Sequence, residues 1–192
     1  MGTTVAARLM TTRSPIAAPG PCLATVNRME APLETEYKYE VVGDSWRGLV
    51  ECSAPVIQGW LLHGDGVQVR VRVSGDVGTV TCKISDPTLG VATRVEIEEL
   101  VPVDLAERLL CRCTTRIAKI RHRIVLDGFV YEVDEYGTEL DDLIVVEVES
   151  ATPPYRLPDW VGRELTGDER WSNLSLALRI RSAVDLSAEP RS

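Results

Sequence analysis

The side chains that build most zinc, redox and nucleophilic sites are scarce in this chain of 192 residues. It has two histidines, His63 and His122, and five cysteines, an odd number without the CxxC spacing of zinc or redox sites. His63 falls in a predicted turn and His122 at an apolar strand position, so we expect both to be structural or exposed. No Ser-His-Asp set, P-loop or Rossmann glycine pattern is visible. The usual signatures of hydrolases and nucleotide-binding folds are therefore missing.

Long apolar runs are missing too. No stretch is long enough to span a membrane, and no segment near the start is typical of an export signal. The formal net charge of −8 argues against nonspecific nucleic-acid binding, which needs a basic surface. Contents of 44% hydrophobic and 26% charged residues fit a soluble, single-domain globular protein. We expect a reducing, cytoplasmic location with no membrane or nucleic-acid partner.

Acidic residues are absent from the first 28 positions, which carry three arginines. We expect a disordered N-terminal extension at 1–28, or a working start at Met29, and a transit peptide is a further alternative. The folded domain is predicted over 29–182, followed by a loose polar tail at 183–192.

Charged residues alternate with uncharged ones along several predicted strands. In the run ETEYK, the side chains of Glu34, Glu36 and Lys38 share one face, because successive strand residues point to opposite faces. The pattern recurs in six later segments, which carry Arg70 and Arg72, Lys83, Arg94, Glu96 and Glu98, Lys119 and Arg121, Glu132 and Asp134, and Glu147 and Glu149. In most of them the other parity is apolar.

A single strand of this kind would be interpreted as amphipathic, with one solvated face. The set differs because its charges are segregated by sign, with glutamates on the first, fifth and late strands and basic residues between. A closed barrel with a charged interior produces this pattern, since interior and exterior residues alternate along every barrel strand. Buried charges must be paired or bound to ligands. The pattern therefore indicates metal ions for the carboxylates and a polyanion for the bases.

The predicted fold class is mostly β (α+β), a single eight-stranded antiparallel β-barrel (tunnel) with a few flanking helices. Turns rich in glycine and aspartate separate several strands. Strands are predicted at 34–41, 55–62, 67–73, 79–85, 92–98, 118–125, 129–136 and 143–150. Helices are predicted from Ser45 to about Cys52, from Asp104 to Cys113 and from Ser172 to about Ile180.

The order of these charged residues resembles that of the CYTH-domain proteins, the triphosphate tunnel metalloenzymes. The resemblance begins at the ExExK run of the first strand and covers roughly Leu33 to Leu178. The segment from Leu157 to Asn173, LPDWVGRELTGDERWSN, looks like the C-terminal signature of that family. ExExK alone is a weak pattern, whereas the ordered set with this closing segment is specific.

The resemblance implies a triphosphatase that uses Mg²⁺ or Mn²⁺. Lysine and arginine suit phosphate oxygens, and hard divalent cations prefer carboxylates. The implied substrate-binding residues are Lys38, Arg70, Arg72, Lys83, Lys119 and Arg121, of which Lys38 and Lys119 are also catalytic candidates. The implied metal ligands are Glu34, Glu36, Glu147 and Glu149, with Asp134 and Glu98 as further candidates. Tripolyphosphate is the predicted substrate, because no base- or thiamine-recognition element is identifiable, and the family suggests a homodimer.

Two positions depart from the family pattern. Tyr37 stands where an arginine is common, but by parity it faces outward and should affect packing alone. Trp60 stands where relatives often have a tyrosine that helps to hold the first-strand lysine. Because an indole offers no acceptor, the orientation of Lys38 is in question.

Two other functions stay open from the sequence. One is a module that binds polyphosphate or a nucleotide without turnover. The other is an adenylate cyclase, although that branch often carries a His-Phe pair ahead of ExExK and no histidine here precedes His63.

Overall fold

A computed structural model describes residues 32–188, which form nine β-strands, two α-helices and three short 3-10 helices. The strands are β1 (Leu33–Val41), β2 (Cys52–Gly64), β3 (Val67–Ser74), β4 (Val77–Ile84), β5 (Thr93–Val101), β6 (Thr115–Leu126), β7 (Phe129–Tyr136), β8 (Ile144–Glu149) and β9 (Val161–Glu164). The helices are α1 (Val103–Leu110) and α2 (Asn173–Ala188), and the 3-10 helices are Ser45–Leu49, Thr138–Leu140 and Glu169–Trp171. The predicted extension at 1–28 lies outside the described residues.

Strands β1 to β8 close into an antiparallel barrel in the order β1-β5-β4-β3-β2-β6-β7-β8. The first residues of β1 pair with β5, where Leu33 faces Val95, and the following residues pair with β8 on the other edge. Strand β9 then takes the edge that β5 leaves free and pairs with β1 near Tyr39. The predicted eight-stranded antiparallel barrel is confirmed, whereas β9 was not predicted.

Several boundaries differ from those predicted. Strands β2 and β6 each begin three residues early, and the helix expected from Ser45 is a 3-10 helix that ends at Leu49. Helix α2 continues past Ile180 to Ala188, into the segment for which we expected a loose tail. The reason is compositional. Between Asn173 and Pro190 the chain contains neither glycine nor proline, so no helix-breaking residue ends the helix sooner.

Apolar residues that alternate with the charged ones face outward and are covered by flanking segments. Trp46 and Trp160 pack over the outer faces of β1, β7 and β8, where Trp160 meets the ring of Tyr131 edge-on at 5.4 Å. Tyr37 packs against this cluster, as its outward parity predicts. Tyr155 is 80% exposed, and its ring lies 6.1 Å from that of Phe129 at the edge of this layer.

The histidines take no part in the barrel interior. His63 is exposed. The His122 ring packs against Trp46 on the outer wall, at a tilt of 59°, and hydrogen-bonds with Ser53 and Glu135. Both placements agree with the structural or exposed roles expected from the sequence.

Helix α1 covers the outer face of β3 and β4. Ala106 and Leu110 of the helix are buried with Val71 of β3. A Cβ atom at Gly78 would lie 2.9 Å from both the Ala106 Cβ and the Val101 carbonyl oxygen, so the helix can approach β4 only over a glycine.

Helix α2 covers one end of the barrel. Inward-facing Trp60, Tyr136 and Val145 form a buried cluster with Leu176 and Ala177 of the helix. The barrel interior is therefore apolar where α2 closes it, and its charged side chains lie away from that end. None of the described helices has the length and apolar character needed to cross a lipid bilayer.

Candidate functional site

A cavity of about 260 Å³ occupies the charged part of the barrel interior. All eight barrel strands contribute lining side chains, and residues of the segment from Leu165 to Leu174 complete the wall. The volume lies near the lower end of the range for ligand pockets, about 300 Å³ and upward. The cavity therefore suits a compact ligand.

Charged side chains of both signs dominate the lining. The six basic residues are Lys38, Arg70, Arg72, Lys83, Arg94 and Arg121. The nine acidic residues are Glu34, Glu36, Glu96, Glu98, Glu132, Glu147, Glu149, Asp168 and Glu169. With every group ionised, the lining has a formal excess of three negative charges. A polyanion needs additional cations to enter such a cavity.

One group of ion pairs joins β1, β4 and β5. The Lys83 Nζ lies 3.1 Å from the Glu34 Oε2 and 2.5 Å from the Glu96 Oε2, and the Arg94 Nε lies 2.7 Å from the Glu34 Oε2. Burial and a hydrogen bond with Glu34 raise the pKa of Glu96 to about 7. At Glu34, burial alone would raise the pKa. The hydrogen bond with Glu96 and the charges of Lys83 and Arg94 outweigh burial and lower the pKa to about 2. Of the two carboxyl groups, Glu96 is therefore the one that takes up a proton first as the pH falls.

A second group joins β3, β4 and β5 around Glu98. Its Oε2 accepts from Arg70 at 3.3 Å and from the Thr81 hydroxyl at 2.6 Å, and its Oε1 accepts from Arg72 at 3.1 Å. Burial alone would raise the pKa of Glu98, but the Thr81 hydrogen bond and both arginines lower it. Glu98 thus holds the two predicted phosphate-binding arginines side by side.

A third group centres on Glu147 of β8. The Lys38 Nζ lies 2.7 Å from the Glu147 Oε1, and the Arg121 Nη2 lies 2.5 Å from the Glu147 Oε2. Burial opposes ionisation of Lys38, but the charges of Glu147 and Glu36 raise its pKa. Lys38 also donates to the carbonyl oxygen of Trp171 at 3.1 Å. Its orientation is therefore set by Glu147 and the Trp171 carbonyl, with no hydroxyl needed at position 60.

Lys119 and Asp134 lie behind Arg121 and outside the cavity lining. Asp134 is fully buried, accepts from the Nε and Nη2 of Arg121 at 2.7 Å each, and is bonded to Lys119 as well. Burial and the charge of Arg121 lower the pKa of Lys119 to about 8. This geometry favours a role for Asp134 as a buried counter-ion and disfavours the predicted role as a metal ligand. It likewise favours Lys119 as the ion-pair partner of Asp134, and disfavours its predicted roles in substrate binding and catalysis.

The carboxylates of β1 and β8 have the donor chemistry for a divalent cation. Glu36 and Glu149 face each other in register across the two strands. Burial and the charges of Glu34 and Glu36 raise the pKa of Glu149, so a bound cation would relieve the repulsion among these carboxylates. No three acidic, histidine or cysteine side chains of residues 32–188 are grouped so as to enclose an ion. Mg²⁺ typically uses one or two carboxylates and completes its shell with water and phosphate oxygens, so the residues fit a cation shared with a ligand.

Several lining residues were not assigned a site role from the sequence. Arg94, Glu96 and Glu132 belong to the charged strand pattern, and Gln68 has the same parity as Arg70, so parity could have identified all four. Asn173 is different. It accepts from Lys119 at 3.1 Å and lies at the start of α2, and no sequence signal shows that this helix folds back against the barrel.

Known proteins share this architecture. An inorganic triphosphatase from Acetivibrio thermocellus is 35% identical over 147 residues, which cover 74% of this chain and 92% of the relative. An inorganic triphosphatase from Nitrosomonas europaea is 33% identical over 135 residues, which cover 67% of this chain and 87% of the relative. The crystal structure of an inorganic triphosphatase superposes with a TM-score of 0.53 at 30% identity, over 76% of this chain and 94% of the other.

The family match spans the whole barrel and reaches into α2. Residues 32–180 match the CYTH domain, which is most of the part of the chain described above. Sequence, barrel topology and the charged interior agree, and the chain belongs to the CYTH domain family.

Proposed function

We propose that this protein is a metal-dependent triphosphatase that hydrolyses inorganic tripolyphosphate in the barrel cavity. The observation that carries the proposal is the convergence of six basic side chains from five strands on one cavity of about 260 Å³. Two relatives named inorganic triphosphatase support the reaction class. Tripolyphosphate is favoured among triphosphates because the lining is dominated by charge, which suits a ligand that is phosphate throughout.

The basic residues would bind the phosphate chain in two ways. Arg70, Arg72 and Arg121 present forked donors that match phosphate oxygens, and Lys38 and Lys83 act as point charges. Each now pairs with a carboxylate, so a phosphate oxygen replaces that carboxylate as its partner on binding. Because the donors are already in place, they also stabilise charge that develops as the terminal phosphoryl group is transferred to water.

Family membership implies a divalent cation, and we propose Mg²⁺ or Mn²⁺. Glu34, Glu36 and Glu149 would hold it, since Glu149 forms no ion pair among the described residues and Glu36 faces it. Glu147 already holds Lys38 and Arg121, and Glu98 already holds Arg70 and Arg72. Glu34 would have to exchange its contacts with Lys83 and Arg94 for the cation. A bound cation would neutralise part of the phosphate charge and polarise the phosphoryl group.

The test is release of phosphate from tripolyphosphate, ATP and thiamine triphosphate, each with Mg²⁺ or Mn²⁺ and with EDTA. We expect release from tripolyphosphate that needs the metal and is lost in Glu36→Gln. The matched control is Glu51→Gln, which removes a carboxylate paired with Arg123 on the surface. Binding of all three compounds without release would favour the binding module, and formation of cyclic AMP from ATP would favour the cyclase.

The homodimer suggested by the family resemblance is also a proposal, and light scattering of the purified protein tests it. The expected cytoplasmic location, and the expected lack of membrane and nucleic-acid partners, stay predictions.

A further inference from the structure

Gln68 is a neutral side chain among the charged ones of the cavity. It lies on β3 at the parity of Arg70 and faces Lys83 of β4 in register. Its amide oxygen accepts a hydrogen bond from the indole nitrogen of Trp60 on β2, at 3.1 Å. Gln68 therefore reaches the cavity while one end of its amide is held by the neighbouring strand.

Trp60 determines which end of that amide faces the cavity. An indole nitrogen donates a hydrogen bond and cannot accept one. The amide must therefore turn its oxygen to Trp60 and its nitrogen away from it. Trp60 is itself fixed, because it is 5% exposed and packs with Leu165 and Leu176 in the cluster that closes the barrel.

The amide nitrogen of Gln68 is an available donor. Within residues 32–188 it has no hydrogen-bond partner on the protein. Every basic side chain of the cavity, by contrast, is paired with at least one carboxylate. Gln68 can therefore donate to an incoming phosphate oxygen without first releasing a carboxylate, and it adds no charge beside Lys83.

On the basis of the function proposed above, we propose that Gln68 is a further substrate-binding residue whose amide nitrogen donates to a nonbridging phosphate oxygen. Trp60 is the positioning residue that holds the amide in this orientation. The tryptophan that departs from the family pattern thus acts through Gln68, and it does not act on Lys38.

Nuclear magnetic resonance can test this directly, because the chain contains only two glutamines, Gln58 and Gln68. With ¹⁵N-labelled glutamine side chains, the full-length protein is titrated with Mg²⁺ and an imido-bridged triphosphate analogue that resists hydrolysis. We expect the Gln68 amide signal to move on binding. Gln58 is 1% exposed and lies outside the cavity lining, so its signal is the internal reference.

Variants extend the test to affinity, measured by calorimetry with the same analogue. Gln68→Met keeps the length of the side chain and removes the donor, and we expect about tenfold weaker binding. Trp60→Phe keeps a ring in the cluster and frees the amide to flip, so binding should weaken roughly twofold. In the double variant, Trp60→Phe should cause no further loss, because its effect requires the amide.

The outcomes separate this proposal from the one on which it rests. An unmoved Gln68 signal while calorimetry shows binding would overturn the role of Gln68 and leave the proposed function intact. Equal losses from Trp60→Phe with and without Gln68 would overturn the positioning role. No binding of the analogue to the wild-type protein would overturn both proposals.

Discussion

Lys38 and Glu147 face each other in register across β1 and β8, with 2.7 Å between the ammonium nitrogen and a carboxylate oxygen. The other oxygen of Glu147 binds Arg121. A single buried carboxylate therefore positions two of the cations that line the cavity.

Replacement of that carboxylate should damage the fold. Glu147→Gln leaves Lys38 and Arg121 without their shared counter-ion, and we expect the free energy of unfolding to fall by about 3 kcal/mol. Urea denaturation measures this. Glu149→Gln is the control, because it removes an inward glutamate of the same strand that forms no ion pair among the described residues. We expect it to change stability by less than about 0.5 kcal/mol, and equal losses in the two variants would contradict the role of Glu147.

Stability should depend on pH through Glu96. Its pKa is raised to about 7, so the folded protein binds this proton more tightly than the unfolded chain does. The contribution is fully present below the ordinary glutamate pKa and is lost as pH rises through about 7. Glu34, whose pKa is lowered to about 2, acts in the opposite direction only at more acidic pH.

We therefore compare wild type with Glu96→Gln by urea denaturation between pH 5 and 8, in EDTA. The wild type should lose on the order of 1–3 kcal/mol more than the variant over this range. Glu99→Gln, an exposed neighbour on β5, is the control. Parallel profiles for wild type and Glu96→Gln would show that Glu96 does not hold the proton.

Replacement of Lys119 should reduce stability, whereas replacement of Arg72 should weaken substrate binding. Lys119→Met removes one of two partners from the fully buried Asp134, so unfolding free energy should fall by about 3 kcal/mol. Arg72→Gln alters a partly exposed side chain of the cavity. It should preserve stability and raise the KM for tripolyphosphate about tenfold or more. A stable Lys119→Met protein without turnover would instead support the catalytic role predicted from the sequence.

The ring of Trp46 should contribute strongly to stability, and its indole nitrogen should contribute little. The side chain is fully buried on the outer wall, and its nitrogen has no hydrogen-bond partner within the described residues. Trp46→Ala should cost about 3–5 kcal/mol of unfolding free energy, and Trp46→Phe about 1 kcal/mol. Thermal denaturation compares the two. Phosphate release by Trp46→Phe should match wild type, since the residue lies outside the cavity, and a large loss of activity would contradict this separation.

Strand alternation predicted most of the barrel because its period of two identifies the face of each residue. It correctly grouped Glu34 with Glu36 and Arg70 with Arg72 inside the barrel. Alternation carries no information on depth along the barrel axis or on which side chain shields another. Lys119 and Asp134 therefore appeared equivalent to Arg121, although Arg121 alone of the three reaches the cavity.

The remaining features depend on tertiary contacts. Strand β9 is four residues long and forms only because β5 leaves an edge of β1 open. Lys38 donates to the backbone carbonyl of Trp171, and a pattern of side chains cannot reveal a contact with the backbone. Both features require the chain to return to β1 from more than a hundred residues away.

The acidic excess of the cavity has a thermodynamic consequence for its ligands. Since nine acidic and six basic groups line it, a cation that enters lowers the electrostatic cost of a polyanion, and the polyanion lowers the cost of the cation. Linkage makes this coupling reciprocal, so each must raise the affinity of the other by the same factor. If the proposed function holds, the barrel should bind ion and phosphate cooperatively, and the affinity measured for either alone should understate its strength.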